Sequence, residues 1–203
     1  ELKEDLEKKG HRFYSNCDTE VLVHLYEEYG EEFPKKLLGM FSFAIWDSVK
    51  KKAILSIDPA GKKPLHYFFD NGILLFASEI KSLLNYKKIK VELDGSSLNY
   101  LLNLQFIPYE RTLFKNIKKL LPGHTLIYEN GKITTKRYWR LEVKEEEKPI
   151  EYYVKQIQEL FTDAVRRRLT LSDVPVGIFL SGGIDSSSVV GVASKFQKVK
   201  TYT

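Results

Sequence analysis

IFLSGGIDSSS, Ile178 to Ser188, places two glycines, four serines and one aspartate directly behind an apolar run. Just upstream, VPVGIFL is nearly continuous in its apolar character, which predicts a strand from Val174 to Leu180 covered on both faces of a parallel sheet. Downstream, Ser187 to Phe196 reads as a helix. The stretch between them is a strand-to-helix turn, where backbone N–H groups lack partners and the helix dipole favours anions. Gly182 and Gly183 let the backbone approach a ligand, and Ser181, Ser186 and Ser187 offer hydroxyls to its oxygens. A phosphate or pyrophosphate is the expected ligand. The nucleotide loop G-x-x-x-x-G-K-[ST] needs a lysine before its serine, whereas Ile184 and Asp185 follow Gly183 here. An aspartate beside phosphate makes sense if it binds a cation such as Mg²⁺. The plain alternative, a tight turn with a serine-rich cap, suits a lone SGG better than the whole string behind an apolar strand.

Working outward, Tyr153, Ile157, Leu160, Phe161, Ala164 and Val165 describe one face of a helix from Ile150, ending in the cationic RRR that suits a helix C-terminus. EVKEEEKP, residues 142–149, has the composition of a linker. Before it, the pattern is α+β with antiparallel strands. Met40–Trp46 and Ala53–Ile57 form one expected hairpin, and LHYFFDNGILLFAS and HTLIYENGKITTKRYW form two more around Asn71-Gly72 and Asn130-Gly131. Short helices are expected over Glu79–Leu84 and Ser96–Leu104. Nearer the start, Leu2 and Leu6 mark a helix closed by Gly10, and HRFYS reads as a short strand. Asp18 or Thr19 can cap a helix whose apolar face is Val21, Leu22, Leu25, Tyr26 and Tyr29. FPKKLLG forms a further helical turn.

The chain has 203 residues, 43% of them hydrophobic and 13% aromatic, enough for one large or two small cores. Its net charge of +5 comes from 32 basic and 27 acidic residues. They are interleaved, without the single-sign block or arginine and aromatic patch of a nucleic-acid binder. No apolar run approaches the roughly 18 residues of a membrane span, and ELKEDLEKKG is unlike a signal peptide, so the cytoplasm is the expected location. One cysteine, Cys17, precludes an internal disulfide, and four scattered histidines show no paired ligand spacing, so no structural zinc is expected. Cys17 reads as a buried or half-buried spectator.

SGGIDSS resembles the pyrophosphate loop of the ATP pyrophosphatases, and RRRL…DVPVGIFLSGGIDSS resembles the glutamine-hydrolysing asparagine synthetases. CDTEVLVHLYEEYG, LLGMFSFAIWD, KKPLHY, FASEIKSLL, IPYERTLFKNIKKLLPGH and RYW resemble, in order, the later part of the class II glutaminase domain and its continuation in that family. The resemblance implies an α+β glutaminase portion with antiparallel sheets, like the N-terminal-nucleophile hydrolases. The start of an α/β adenine-nucleotide α-hydrolase-like domain would follow it. Residues 1–141 would be the C-terminal part of the amidotransferase domain, 142–149 the linker and 150–203 the beginning of the synthetase domain. The polypeptide is accordingly expected to be a fragment, inactive in both half reactions alone.

By the same resemblance, Asp18 binds the amino group of substrate glutamine. Ser181, Gly182, Gly183, Asp185, Ser186 and Ser187 hold the pyrophosphate of ATP, with Asp185 linked to Mg²⁺, and Leu180 lies along the nucleotide. The nucleophile of class II glutaminases is an N-terminal cysteine, and the sequence begins with Glu1; no residue is expected to be that catalyst. In SIDPAGKKPLHYF, Ile57, Ala60 and His66 replace the family's arginine, aromatic and tyrosine, while Asp58, Gly61, Lys63, Pro64, Leu65 and Tyr67 agree. His66 is expected to be a packed or surface side chain. The implied reaction converts aspartate, ATP and glutamine to asparagine, AMP, pyrophosphate and glutamate through β-aspartyl-AMP, in a protein that is a homodimer when whole. Two alternatives stay open. One is a related amidotransferase acting on another carboxylate, in β-lactam, peptide-cyclising or polysaccharide pathways; the other is a degenerate, non-catalytic module.

Overall fold

In the computed structural model, which describes residues 1–172 and 174–203, both Asn-Gly pairs close tight hairpins. φ is positive at Asn71 (46°), Gly72 (77°), Asn130 (51°) and Gly131 (70°). That is the two-residue turn whose twist matches the flanking strands. Asp173, at the head of the apolar run before the glycine turn, lies outside the described residues.

The chain divides into two units, Glu1–Glu142 and Val143–Thr203. In the first, β1 (Ser42–Asp47), β2 (Lys52–Ile57), β6 (His124–Glu129) and β7 (Lys132–Arg137) form an antiparallel sheet in the order β1-β2-β6-β7. β3 (His66–Asp70), β4 (Ile73–Ala77) and β5 (Ile117–Lys119) form another, ordered β4-β3-β5. Alternation along the strands decides the layering. Leu55 and Ile57 of β2 and Leu126 of β6 meet Leu65, Tyr67 and Leu120 in one buried cluster between the sheets. Phe68, next to Tyr67, points the other way and packs with Ile89, Ile117 and Leu83 of α3 (Ile80–Leu84). On the far face of the first sheet, Phe43 and Ile45 lie against Leu6 of α1 (Leu2–Lys8), Leu25 of α2 (Asp18–Tyr29) and Phe33 of the 3-10 helix Gly30–Lys36. The layers therefore run helices, sheet, sheet, helix. Leu55 and Leu126 are fully buried, each such side chain contributing roughly 1.5–3 kcal/mol.

Asp58 ties the loop after β2. Its side chain is buried, and its carboxylate accepts the amides of Ala60 (3.0 Å), Lys62 (3.1 Å), Lys63 (3.1 Å) and Phe41 (3.3 Å). Its carbonyl accepts those of Gly61 and Gly123. A Cβ on Gly61, where φ is +63°, would stand 2.8 Å from Pro122 Cγ, so the close approach requires glycine. Tyr138 closes the arrangement by donating to the Ile57 carbonyl at 2.8 Å.

In the second unit, α5 (Ile150–Thr170) packs Val165 and Leu169 with Ala193 of α6 (Ile184–Ala193) and Ile178 of β8 (Gly177–Phe179). β8 pairs in parallel with β9 (Lys200–Tyr202) across α6, a βαβ unit. Several expectations are corrected here. The strand before the glycine turn spans three residues, Gly177–Phe179, rather than Val174–Leu180. The helix after it begins at Ile184 rather than Ser187. On α5, Val165 of the expected face is buried, with Leu169 beside it, while Ile157 and Leu160 are exposed. In the first unit, residues 11–15 form no strand. α4 (Gly95–Leu104) is capped by Asp94, whose carboxylate accepts the Ser96 amide. Among the described residues, no helix is long and apolar enough to cross a membrane.

Candidate functional site

Asp18 is the first residue of α2, and the N-cap is Cys17, which makes no side-chain capping bond. Neither Asp18 nor Thr19 caps the helix; Glu20 secures its entry instead. The Glu20 carboxylate reaches back to accept the amides of Tyr14 (2.7 Å) and Ser15 (2.8 Å) and the Ser15 hydroxyl (2.5 Å). These donors, the Ser15 hydroxyl foremost, hold the Glu20 carboxyl below the usual range. They also explain the missing strand, because two amides that a neighbouring strand would need are already used. With the segment pinned, Asp18 needs no structural partner. It is exposed and, among the described residues, receives only local contacts, from Thr19 Oγ1 at 3.4 Å and Cys17 Sγ at 3.7 Å. A carboxylate at a helix N-terminus is favourable by itself and can still meet an ammonium group outside. Cys17 is exposed, not buried. His66 begins β3 with Nδ1 3.0 Å from the Ser78 carbonyl, and burial lowers its pKa.

The turn from β8 into α6 brings Leu180, Ser181, Gly182, Gly183, Asp185, Ser186 and Ser187 together. Leu180 is half-buried and continues the ladder by donating to the Tyr202 carbonyl at 2.8 Å. Gly182 takes φ +81°, and Gly183 is the N-cap of α6. The first amide in the helix to bond is that of Ser187, to the Gly183 carbonyl at 3.0 Å. The amides of Ile184, Asp185 and Ser186 find no hydrogen-bond acceptor among the described residues. No side chain caps them. Ser186 Oγ lies 3.1 Å from Ser181 Oγ and donates to the Gly183 carbonyl at 3.2 Å, which holds the loop in shape. A Cβ at Gly182 would meet nothing within 4 Å. The glycine thus serves its positive φ and leaves open space in front of the amides. Asp185 is exposed and has no side-chain hydrogen bond or ion pair among the described residues. A free carboxylate beside bare amides suits one oxygen of a hydrated Mg²⁺ on a phosphate, since Mg²⁺ takes one or two carboxylates and keeps waters.

Sequence reasoning missed two organising acids, Glu20 and Asp58. Asp58 was visible only as part of a resembling motif. Glu20 has a signal of its own, an acid at the third position of a helix, the place from which a side chain reaches back to the preceding backbone.

The family model described as "Glutamine amidotransferase domain" matches residues 1–139, and the one described as "Asparagine synthase" matches residues 156–203. "Asparagine synthetase [glutamine-hydrolyzing] 1" of Bacillus subtilis (strain 168) is 41% identical over 205 residues, covering 100% of this chain and 32% of that protein. "Asparagine synthetase [glutamine-hydrolyzing] 3" of the same organism is 37% identical, covering 96% and 32%. "Amidase chyE" of Penicillium rubens is 36% identical, covering 94% and 28%. The chain spans about a third of the length of the curated relatives it matches. It belongs to the glutamine amidotransferase domain family, in the form in which that domain runs on into an asparagine synthase domain.

Proposed function

We propose that these residues serve an ATP-dependent, glutamine-hydrolysing asparagine synthetase acting in the cytoplasm as a homodimer. The first unit, residues 1–141, contributes to hydrolysis of glutamine to glutamate and ammonia, with Asp18 holding the substrate's ammonium group. Residues 142–149 link it to the synthetase part that begins at residue 150. There the aspartate β-carboxylate attacks the α-phosphorus of ATP, and the bond to the bridging oxygen breaks to release pyrophosphate. Ammonia then attacks the acyl carbon of β-aspartyl-AMP and expels AMP. The observation that carries this reading is the run of three bare amides at Ile184, Asp185 and Ser186 behind an open Gly182. They are preorganised donors for negative charge growing on the departing pyrophosphate. The hydroxyls of Ser181, Ser186 and Ser187 add to them, and Leu180 flanks the nucleotide. Asp185 would hold Mg²⁺, whose charge offsets that of the phosphates.

The test is aspartate-dependent exchange of labelled pyrophosphate into ATP by the natural protein carrying this chain. Asp185→Asn is expected to lower exchange by about 100-fold, and exchange that persists at the wild-type rate would remove the assignment. The amidase relatives favour one second reading, an amidotransferase of the same architecture with another carboxylate acceptor. Pyrophosphate exchange with a panel of carboxylates in place of aspartate separates the two.

A further inference from the structure

Gly10 ends α1 with φ +96° and turns the chain so that His11 comes back onto α2. There its Nδ1 lies 3.2 Å from Nδ1 of His24. One turn along α2, Glu27 Oε2 lies 2.9 Å from His24 Nδ1 and 3.5 Å from His11 Nδ1. Three donor atoms thus form a small triangle. We propose that His11, His24 and Glu27 bind one transition-metal ion of the Zn²⁺ class, at a site separate from the glutamine and pyrophosphate positions.

The separations are those of ligands sharing an ion. Points spaced this way lie about 1.9 Å from a common centre, so an ion about 2.1 Å from each stands roughly 1 Å out of their plane. The outer contact of His11 favours the tautomer such an ion needs. His11 Nε2 faces Glu28 Oε2 at 3.3 Å, and His24 Nε2 faces Glu20 Oε1 at 3.8 Å. A carboxylate drawing the proton to the remote nitrogen leaves Nδ1 as a lone pair, the arrangement of carboxylate–histidine–metal relays. Glu28 is fixed for this by Lys9 at 2.5 Å. Two nitrogens and a carboxylate oxygen thus face one another at 3.2, 2.9 and 3.5 Å, a set of donor atoms that one cation can bridge. Phe13 packs on the His24 ring at 4.5 Å between centroids, holding its orientation. The rings are 15% and 13% exposed, while Glu27 is 55% exposed and gives an ion its way in. Two imidazoles and one carboxylate favour Zn²⁺, Co²⁺, Ni²⁺ or Cu²⁺ over Mg²⁺ or Ca²⁺. Three protein ligands leave a position for water.

The experiment titrates the chelator-treated full chain, in a Cys17→Ser background that removes the one thiol, with Zn²⁺ against a chromophoric chelator and separately with Co²⁺. One ion per chain, a cobalt visible spectrum with nitrogen ligation, and a melting temperature raised by Zn²⁺ are expected. Glu27→Gln, on an exposed side chain, should keep the fold and weaken Zn²⁺ by at least tenfold. Glu28→Gln should weaken it by about 10–100-fold, as outer partners do. His24→Ala should abolish binding, and if its loss from beneath Phe13 unfolds the chain, Glu27→Gln and His11→Gln decide. His66→Ala and His124→Ala should leave affinity unchanged. Binding below one ion per chain, or affinity indifferent to both Glu27→Gln and His11→Gln, overturns the proposal and leaves a proton shared between His24 and Glu27 in the ion's place.

Discussion

Two aspartates sit on glycine-containing turns after a strand, and they are opposites. Asp58 is buried and its carboxylate takes four backbone amides, and its carbonyl takes that of Gly61, so the loop from Ala60 to Lys63 has no backbone amide left to offer a ligand. Asp185 is exposed, has no side-chain partner among the described residues, and shares its turn with amides that also lack one. Both turns have an acid beside a glycine of positive φ, Gly61 and Gly182. What separates them is whether the acid satisfies the amides of its own turn. Where it does, the turn is finished as structure; where it does not, the unmet hydrogen bonds are available for a substrate.

Substitutions can break or sharpen this contrast, from the largest expected change in stability to the smallest. Asp58→Ala orphans four amides at once and should cost about 3–5 kcal/mol in urea unfolding; a cost near zero would mean the loop holds without its acid. Gly61→Ala should cost about 2 kcal/mol, from a left-handed backbone and from the contact with Pro122. Tyr138→Phe loses the bond to the Ile57 carbonyl, about 1 kcal/mol. It should also change the alkaline limb. Burial, aided by the charge of Asp58, pushes the Tyr138 phenol up to about 12 from an ordinary value of 10.0. A raised phenol favours the folded state fully below its unfolded value, and that contribution is lost as pH climbs from about 10 to about 12. Unfolding midpoints across that window should fall less steeply in the phenylalanine variant.

Glu31→Gln is the next smaller. Its carboxylate accepts from Lys52 and Lys136, both at 2.7 Å, and those bonds lower its pKa, that from Lys136 most. Its contribution is therefore present above the usual carboxylate range and lost as pH falls through the depressed value. The variant should be roughly 0.5 kcal/mol less stable at neutral pH and level with wild type in acid. Asp185→Asn should stay within about 0.5 kcal/mol of wild type in unfolding while pyrophosphate exchange collapses. A large unfolding change there would make Asp185 a second Asp58.

The two Asn-Gly hairpins were legible because that pair favours positive φ at both positions, a local property that no distant contact has to supply. The glycine turn was legible for the same reason, since strand, glycines and helix start are contiguous. What escaped depends on partners far along the chain. β5 is three residues with only Ile117 buried, and it is a strand because β3 lies beside it. HRFYS has the residues of a strand, yet Glu20 takes the amides of Tyr14 and Ser15 first. The histidines looked scattered because His11 and His24 are neighbours only once Gly10 has turned the chain.

The tips of the two Asn-Gly hairpins meet. A Cβ on Gly72 would lie 3.8 Å from Gly131 Cα, and Tyr128 donates its hydroxyl to the Gly72 carbonyl at 2.8 Å. Insertions at either tip would run into the other, so the lengths of β3–β4 and β6–β7 are not independently variable. A deletion in one finger leaves the other reaching for a counterpart that has withdrawn.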